Sequence, residues 1–267
     1  MWDPNQYALF GEHRGRPFAD LLARVDAPSP RLVVDLGCGD GPLTLGLADR
    51  WSEARIVGVD SSAEMLEAAR RLDADSRVEW VLARAEEWSP ESLDKPVDVL
   101  VTNATLQWVP GHLDLIPTWV GALAPGGWFA MQVPSNLDAP SHVLMREVAA
   151  RHPRAADLAR GLQRSVAVAQ PATYLAALAG LGLAVDVWKT VYHHVLDPEN
   201  AQRSPVLEWV RGTGLRPVLE VLTDERELEL FLDDYVAELD RAYPRQPFGV
   251  IFPFSRTFAT GHKVAAT

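Results

Sequence analysis

The chain is poor in cysteine: Cys38 is the one thiol among 267 residues. That excludes an internal disulfide framework and fits a reducing compartment. Lysine is scarce too, at positions 95, 189 and 263 alone, so arginine supplies nearly all of the 25 basic side chains. No apolar run approaches the roughly 18 residues a membrane helix needs. The opening Met1-Trp2-Asp3-Pro4-Asn5-Gln6 has neither the basic start nor the apolar stretch of a secretory signal. A soluble, cytoplasmic protein without a membrane partner is expected. Positive charge is short overall, with 36 acidic residues against 25 basic and a formal net charge of −11. Nucleic acid is thereby excluded as the main partner, because phosphate binding needs a concentrated positive surface. The same field repels a small anion, which only a local cluster of cations could hold.

What the chain does have is ample apolar content, 48%, ordered into an α/β rhythm. Short β-branched runs at 32–36, 55–59, 78–82, 97–101 and 128–133 alternate with amphipathic stretches. Such spacing predicts a parallel sheet with right-handed crossovers. Ser61-Ser62-Ala63-Glu64 reads as a capping-box start for the helix after the second strand. Residues 3–25 read as a helical arm. Beyond Pro134 the rhythm turns helical over 135–182, interrupted at Pro140, Pro153 and Pro171, with a strand at 184–192. Residues 199–243 are again helical: Ser204-Pro205 starts one helix, and Asp224 with Glu227 caps another. The stretch 254–264 is expected at the sheet edge. The expected organisation is one domain over 1–267. It comprises an arm (1–30), a ligand-binding core (31–134) and helical cap insertions at 135–182 and 195–252, after the fifth strand and before the last.

Asp35-Leu36-Gly37-Cys38-Gly39-Asp40-Gly41 closes the first strand and opens a helix. Glycines there permit a tight turn and close approach to a ligand. A dinucleotide fingerprint would need glycine at position 42, where Pro42 stands. That disfavours a nicotinamide enzyme. Asp60 ends the second strand, where a carboxylate can accept hydrogen bonds from ribose hydroxyls. Asn103 ends the fourth, facing the crevice of a parallel sheet.

The G-x-G-x-G pattern behind an acidic residue resembles the first motif of class I methyltransferases. The resemblance implies a Rossmann-like sheet with helices on both faces and S-adenosyl-L-methionine as cofactor. It implies Asp35 near the methionine amino group, with Gly37, Cys38 and Gly39 bordering the cofactor. Ser61 lies beside Asp60, Met65 packs on the adenine, and Asn103 lines the same cleft. The family's acidic residue for the adenine amino group is replaced by Arg84. Either Glu86 substitutes for it or the Ala85 amide holds that edge alone.

Blocks outside the core are more particular. They are Trp2-Asp3-Pro4 with Tyr7, Asn103-Ala104-Thr105-Leu106-Gln107-Trp108, His142-Val143-Leu144-Met145-Arg146-Glu147-Val148, Trp188 to His194, and Trp209 to Pro217. With these the chain resembles the bacterial trans-aconitate 2-methyltransferases. The resemblance implies methyl transfer to a carboxylate of a small tricarboxylate. A near-trianion in an acidic protein calls for arginines, whose planar fork bonds a carboxylate at two points. Arg146, Arg216 and Arg256 stand in apolar contexts and are the candidates. Their structural alternatives are an intrahelical pair near Glu147 or a solvated face for Arg146, and capping of helix carbonyls for Arg216. Tyr7, Tyr192, His193 and Gln107 are further candidate donors, and Trp108 suits packing more than chemistry.

No metal site is expected: His193-His194 points to opposite faces of a strand, and ligand spacing recurs nowhere else. No general base is expected either, since a carboxylate acceptor has no proton to lose. The protein is expected to act as a monomer. Two other readings stay open, a methyltransferase for another small acid or a hydroxylated metabolite, and a non-catalytic cofactor-binding partner subunit. Intact Gly37, Gly39 and Gly41 weigh against the second.

Overall fold

The structure is a computed structural model that describes residues 11–164 and 168–264, with no side chain described at 11–14 or 164. Tyr7 and the start of the helical arm therefore lie outside the described residues. The arm's described part is α1 (Gly11–Leu22). Then follow β1 (Leu32–Leu36), α2 (Pro42–Arg50), β2 (Arg55–Asp60), α3 (Ala63–Leu72), β3 (Val78–Leu82), β4 (Val97–Asn103), α4 (His112–Gly121) and β5 (Leu123–Pro134). The second half gives α5 (Pro140–Arg151), α6 (Ala155–Arg164), α7 (Pro171–Gly180), β6 (Ala184–Leu196), α8 (Pro205–Arg211), α9 (Arg216–Val221), α10 (Glu225–Ala242), β7 (Arg245–Gln246) and β8 (Gly249–His262).

These elements divide into two compact units, each with its own apolar core. The sheet unit holds the described residues of 14–134, 167–190 and 257–267; the helical unit holds those of 1–13, 135–166 and 191–256. Strands β6 and β8 have residues in both.

The eight strands form a mixed sheet in the order β3-β2-β1-β4-β5-β8-β6, with β7 antiparallel to β8. Strands β1 to β5 pair in parallel. All five residues of β1 are buried, as expected of strands covered on both faces. Asp35 is opposite Gly58 on one side and Val101 on the other. The strand order reverses at β1, so the carboxyl ends of β1 and β4 flank the switch point where open α/β sheets bind ligands.

Several expectations shift. The last strand is not at the edge: β8 lies between β5 and β6, and β6 ends the order. Pairing of distant segments leaves no local trace in a sequence. Pro140, Pro171 and Pro205 stand in the first turn of α5, α7 and α8, where the missing N–H costs nothing. Pro140 and Pro171 thus begin helices rather than interrupt one, and Pro205 begins one as expected. Helix α3 is capped by Ser62, whose Oγ accepts from the Met65 amide at 3.2 Å, and not by Ser61. Helix α7 belongs to the sheet unit, although it falls within the expected 135–182 insertion. Its Tyr174 and Leu178, one turn apart, are buried in that unit's core. The Tyr174 hydroxyl lies 2.9 Å from His112 Nε2 on α4.

Candidate active site

The turn after β1 is shaped by two contacts to β2: the Gly37 and Cys38 amides both donate to the Val59 carbonyl, at 2.7 and 3.0 Å. Gly37 has φ +87°, and a Cβ there would overlap the Thr105 side chain. Thr105 Oγ1 in turn reaches the carbonyls of Gly37 (3.3 Å) and Asn103 (3.1 Å), tying this loop to the end of β4. Gly41 has φ +92°, and a Cβ there would meet Ala69 and Trp80 at 2.8 Å. Only glycine serves at either position.

Two carboxylates edge the loop. Asp60, half-buried, accepts from the Gly39 amide at 2.9 Å and from the Ser62 amide at 2.8 Å. One oxygen goes to each, so each keeps lone-pair capacity for a ligand hydroxyl. Asp35 is buried and accepts from Thr44 Oγ1 at 2.6 Å. Burial is the main cause that raises its carboxyl to about 6, the Thr44 hydrogen bond opposes, and the Asp60 charge adds to the rise. Burial, with Asp35 and Asp60 nearby, holds the Cys38 thiol far above its ordinary range, so it is no nucleophile at neutral pH.

At the end of β4, Asn103 Oδ1 is buried and has no hydrogen-bond partner among the described residues. Gln107 donates from Nε2 to the Ala104 carbonyl at 2.6 Å, which leaves its buried Oε1 without one among the same residues. Asp35, Asp60, Asn103 and Gln107 thus make this end of the sheet rich in acceptors. Such a set fits a ligand that brings donors, an ammonium and sugar hydroxyls. Met65 is half-buried and Ser61 exposed. Trp108 is 47% exposed, so it does not pack as the sequence suggested. Beyond β3, Glu86 is paired with Arg84 at 3.0 Å, beside half-buried Ala85. Thr44 and Thr105 were not singled out from sequence; their partners are nine and 68 positions away.

In the helical unit, Arg256 is 5% exposed and stacks over the Phe254 ring at 4.9 Å. Arg216 opens α9, half-buried, and its guanidinium has no hydrogen bond or ion pair among the described residues. Arg146 is exposed on α5 and donates from Nη2 to the Leu137 carbonyl at 2.7 Å. Tyr192 is 3% exposed, whereas His193 lies on the exposed face of β6. The buried place beside Tyr192 belongs to His194, stacked on Trp209 with ring centroids 5.0 Å apart. Among the described residues, no group of three His, Cys, Asp or Glu is gathered as a metal site. No helix there is long and apolar enough to cross a membrane.

A parallel β3-β2-β1-β4-β5 arrangement with a glycine loop and acidic ends on β1 and β2 defines a class I, Rossmann-like methyltransferase. A family model described as a methyltransferase domain matches residues 33–127. Among solved structures, the YcgJ protein of Bacillus subtilis superposes with a TM-score of 0.58 at 15% identity, covering 94% of this chain and 100% of that one. Geranyl diphosphate C-methyltransferase of Streptomyces coelicolor, in complex with Mg2+, geranyl diphosphate and S-adenosyl-L-homocysteine, gives 0.54 at 15% identity over 97% and 82%. At that identity they establish the fold. Among curated relatives, the trans-aconitate 2-methyltransferase of Streptomyces coelicolor is 50% identical over 269 residues, 98% of this chain and 86% of the relative. That of Rhodococcus jostii is 49% identical over 261 residues, 97% of this chain and 98% of the relative. The chain belongs to the trans-aconitate 2-methyltransferase family.

Proposed function

We propose that the protein transfers the methyl group of S-adenosylmethionine to a carboxylate of trans-aconitate, giving a monomethyl ester and S-adenosylhomocysteine. The observation that carries this is near 50% identity over 98% of the chain. It therefore extends well beyond the 33–127 methyltransferase domain, into the segments that can distinguish substrates.

When bound, the cofactor supplies an electrophilic methyl on a sulfonium. Asp60 would hold the ribose, and Asp35 the amino group. Asn103 would accept at the same end of the sheet, with Gly37, Cys38, Gly39, Ser61 and Met65 around the ligand. Because Glu86 is engaged by Arg84, the Ala85 amide is the better candidate for the adenine edge. Arg216 and Arg256 hold substrate carboxylates, with Arg146, Gln107, Trp108, Tyr192 and Tyr7 as further contacts. The exposed His193 supports a substrate role least. The substrate carboxylate is ionised at neutral pH, so these residues have no proton to remove. Their work is to orient an oxygen toward the methyl and exclude water. The protein acts as a monomer in the cytoplasm on this small anion, without a nucleic-acid partner. Cofactor turnover measured across a panel of di- and tricarboxylates and hydroxylated metabolites should be fastest with trans-aconitate. Turnover with the hydroxylated compounds alone would contradict the proposal.

A further inference from the structure

The first turn of α5 carries His142. The turn is pinned from both sides: the Ser141 amide donates to the Tyr243 hydroxyl at 3.0 Å, and the Tyr235 hydroxyl donates to the Ser141 carbonyl at 2.7 Å. Both tyrosines are buried. From this fixed base the imidazole leaves with Nδ1 3.2 Å from Ser141 Oγ. Its far side lies against Gly214, where an added Cβ would sit 2.9 Å from Nε2. Arg146 is one turn along the same helix face, and Arg216 is two residues beyond Gly214. The ring therefore joins two segments, distant in sequence, that each carry a candidate carboxylate-binding cation. Burial, and then the Arg146 charge, lower its pKa to about 4, so at neutral pH it carries one N–H and no charge.

We propose that His142 is a substrate-binding residue that donates from Nε2 to a carboxylate held beside Arg146 and Arg216. This rests on reading those arginines as the substrate's cations. The arrangement takes the Ser141 hydroxyl as donor to Nδ1, a pair whose roles depend on the tautomer, and so places the ring proton on Nε2. A neutral directional donor next to two cations fixes the orientation of one carboxylate among several, which charge alone does not. The missing side chain at Gly214 leaves the ring its place.

The test is steady-state kinetics with trans-aconitate on four variants: His142→Ala, His142→Gln, Gly214→Ala, and the double variant His142→Ala/Gly214→Ala. Losing one hydrogen bond to a charged group should raise KM about tenfold to a hundredfold. The maximal rate should stay within about threefold and cofactor affinity should be unchanged, because the lost contact is to the substrate. Glutamine, which can place an N–H near the same point, should restore part of the loss. Gly214→Ala should raise KM by displacing the ring, and its effect should vanish in the double variant, as coupling through one contact requires. A folded His142→Ala protein with KM within about twofold of the parent value overturns the proposal. So does a Gly214→Ala effect that persists at full size without the ring. Gly214 is outside the left-handed region, so alanine is tolerated there; should His142→Ala not fold, a Gly214→Ala protein with parental KM overturns the proposal. Arg216→Ala is run in parallel: an unchanged KM there defeats the arginine reading, whatever the outcome at His142.

Discussion

Asp35 is a costly side chain to bury, and its removal should expose a conflict between stability and cofactor binding. Its carboxyl is raised from an ordinary 3.8 to about 6, chiefly by burial. At pH 3 it is protonated in both folded and unfolded chains and contributes nothing. As pH rises through 3.8 the unfolded chain ionises first, and the cost of keeping the folded group buried grows until about pH 6. Above that it stays level at up to about 3 kcal/mol, the free-energy equivalent of the pKa difference. The substitution Asp35→Asn keeps an acceptor for the Thr44 hydroxyl but leaves no charge to bury. The variant should therefore be more stable than the parent by about 2–3 kcal/mol at pH 7.5 and by only about 1 kcal/mol at pH 4.5. Denaturant unfolding at the two pH values, without cofactor, measures both differences. The same substitution should weaken S-adenosylmethionine binding by about 1.5–3 kcal/mol, since the ammonium loses a charged partner. In the parent, affinity should fall as pH drops below 6, up to about tenfold per pH unit, because the carboxyl must lose its proton to bind a cation. Equal stability of the two proteins at pH 7.5, or the same gain at both pH values, would refute the reasoning.

Asp60→Ala should weaken cofactor binding by about 1.5–3 kcal/mol in calorimetry, and unchanged affinity in a folded variant would remove Asp60 from the ribose. Arg216→Ala and Arg256→Ala should raise KM for trans-aconitate with cofactor affinity intact, and lysine should rescue only partly because it lacks the two-point fork. For both variants to keep parental kinetics would place the carboxylate site elsewhere. The maximal rate at saturating substrates, with chemistry limiting, should be nearly flat from about pH 6.5 to 9, and Tyr192→Phe or His193→Gln should cost at most about tenfold. A loss near a thousandfold in either, with a single titration near pH 7, would instead indicate a general base and a hydroxyl acceptor.

The sheet's parallel half was legible because each of β1 to β5 is a local apolar run, and the glycine loop marks itself by composition. What stayed hidden was set by distance. The place of β8 between β5 and β6 depends on partners far off in the chain. The membership of α7 in the sheet unit depends on the contact of Tyr174 with His112. Alternation in β6 told that His193 and His194 face opposite ways, but not that His194 faces Trp209. At the cofactor end the residue types were readable, while the Glu86–Arg84 pair and the Thr105 bridge to Gly37 were not. Both join groups that the sequence offers no reason to couple.

The most direct measurement is the fate of the methyl group itself. The protein is incubated with methyl-labelled S-adenosylmethionine and trans-aconitate, and the product is treated with mild base. Label that enters the organic acid once per molecule and is released by base as methanol is the result expected of a monomethyl ester. Label that stays on the acid through base treatment, or no transfer to trans-aconitate by a protein that binds the cofactor, would contradict carboxyl methylation.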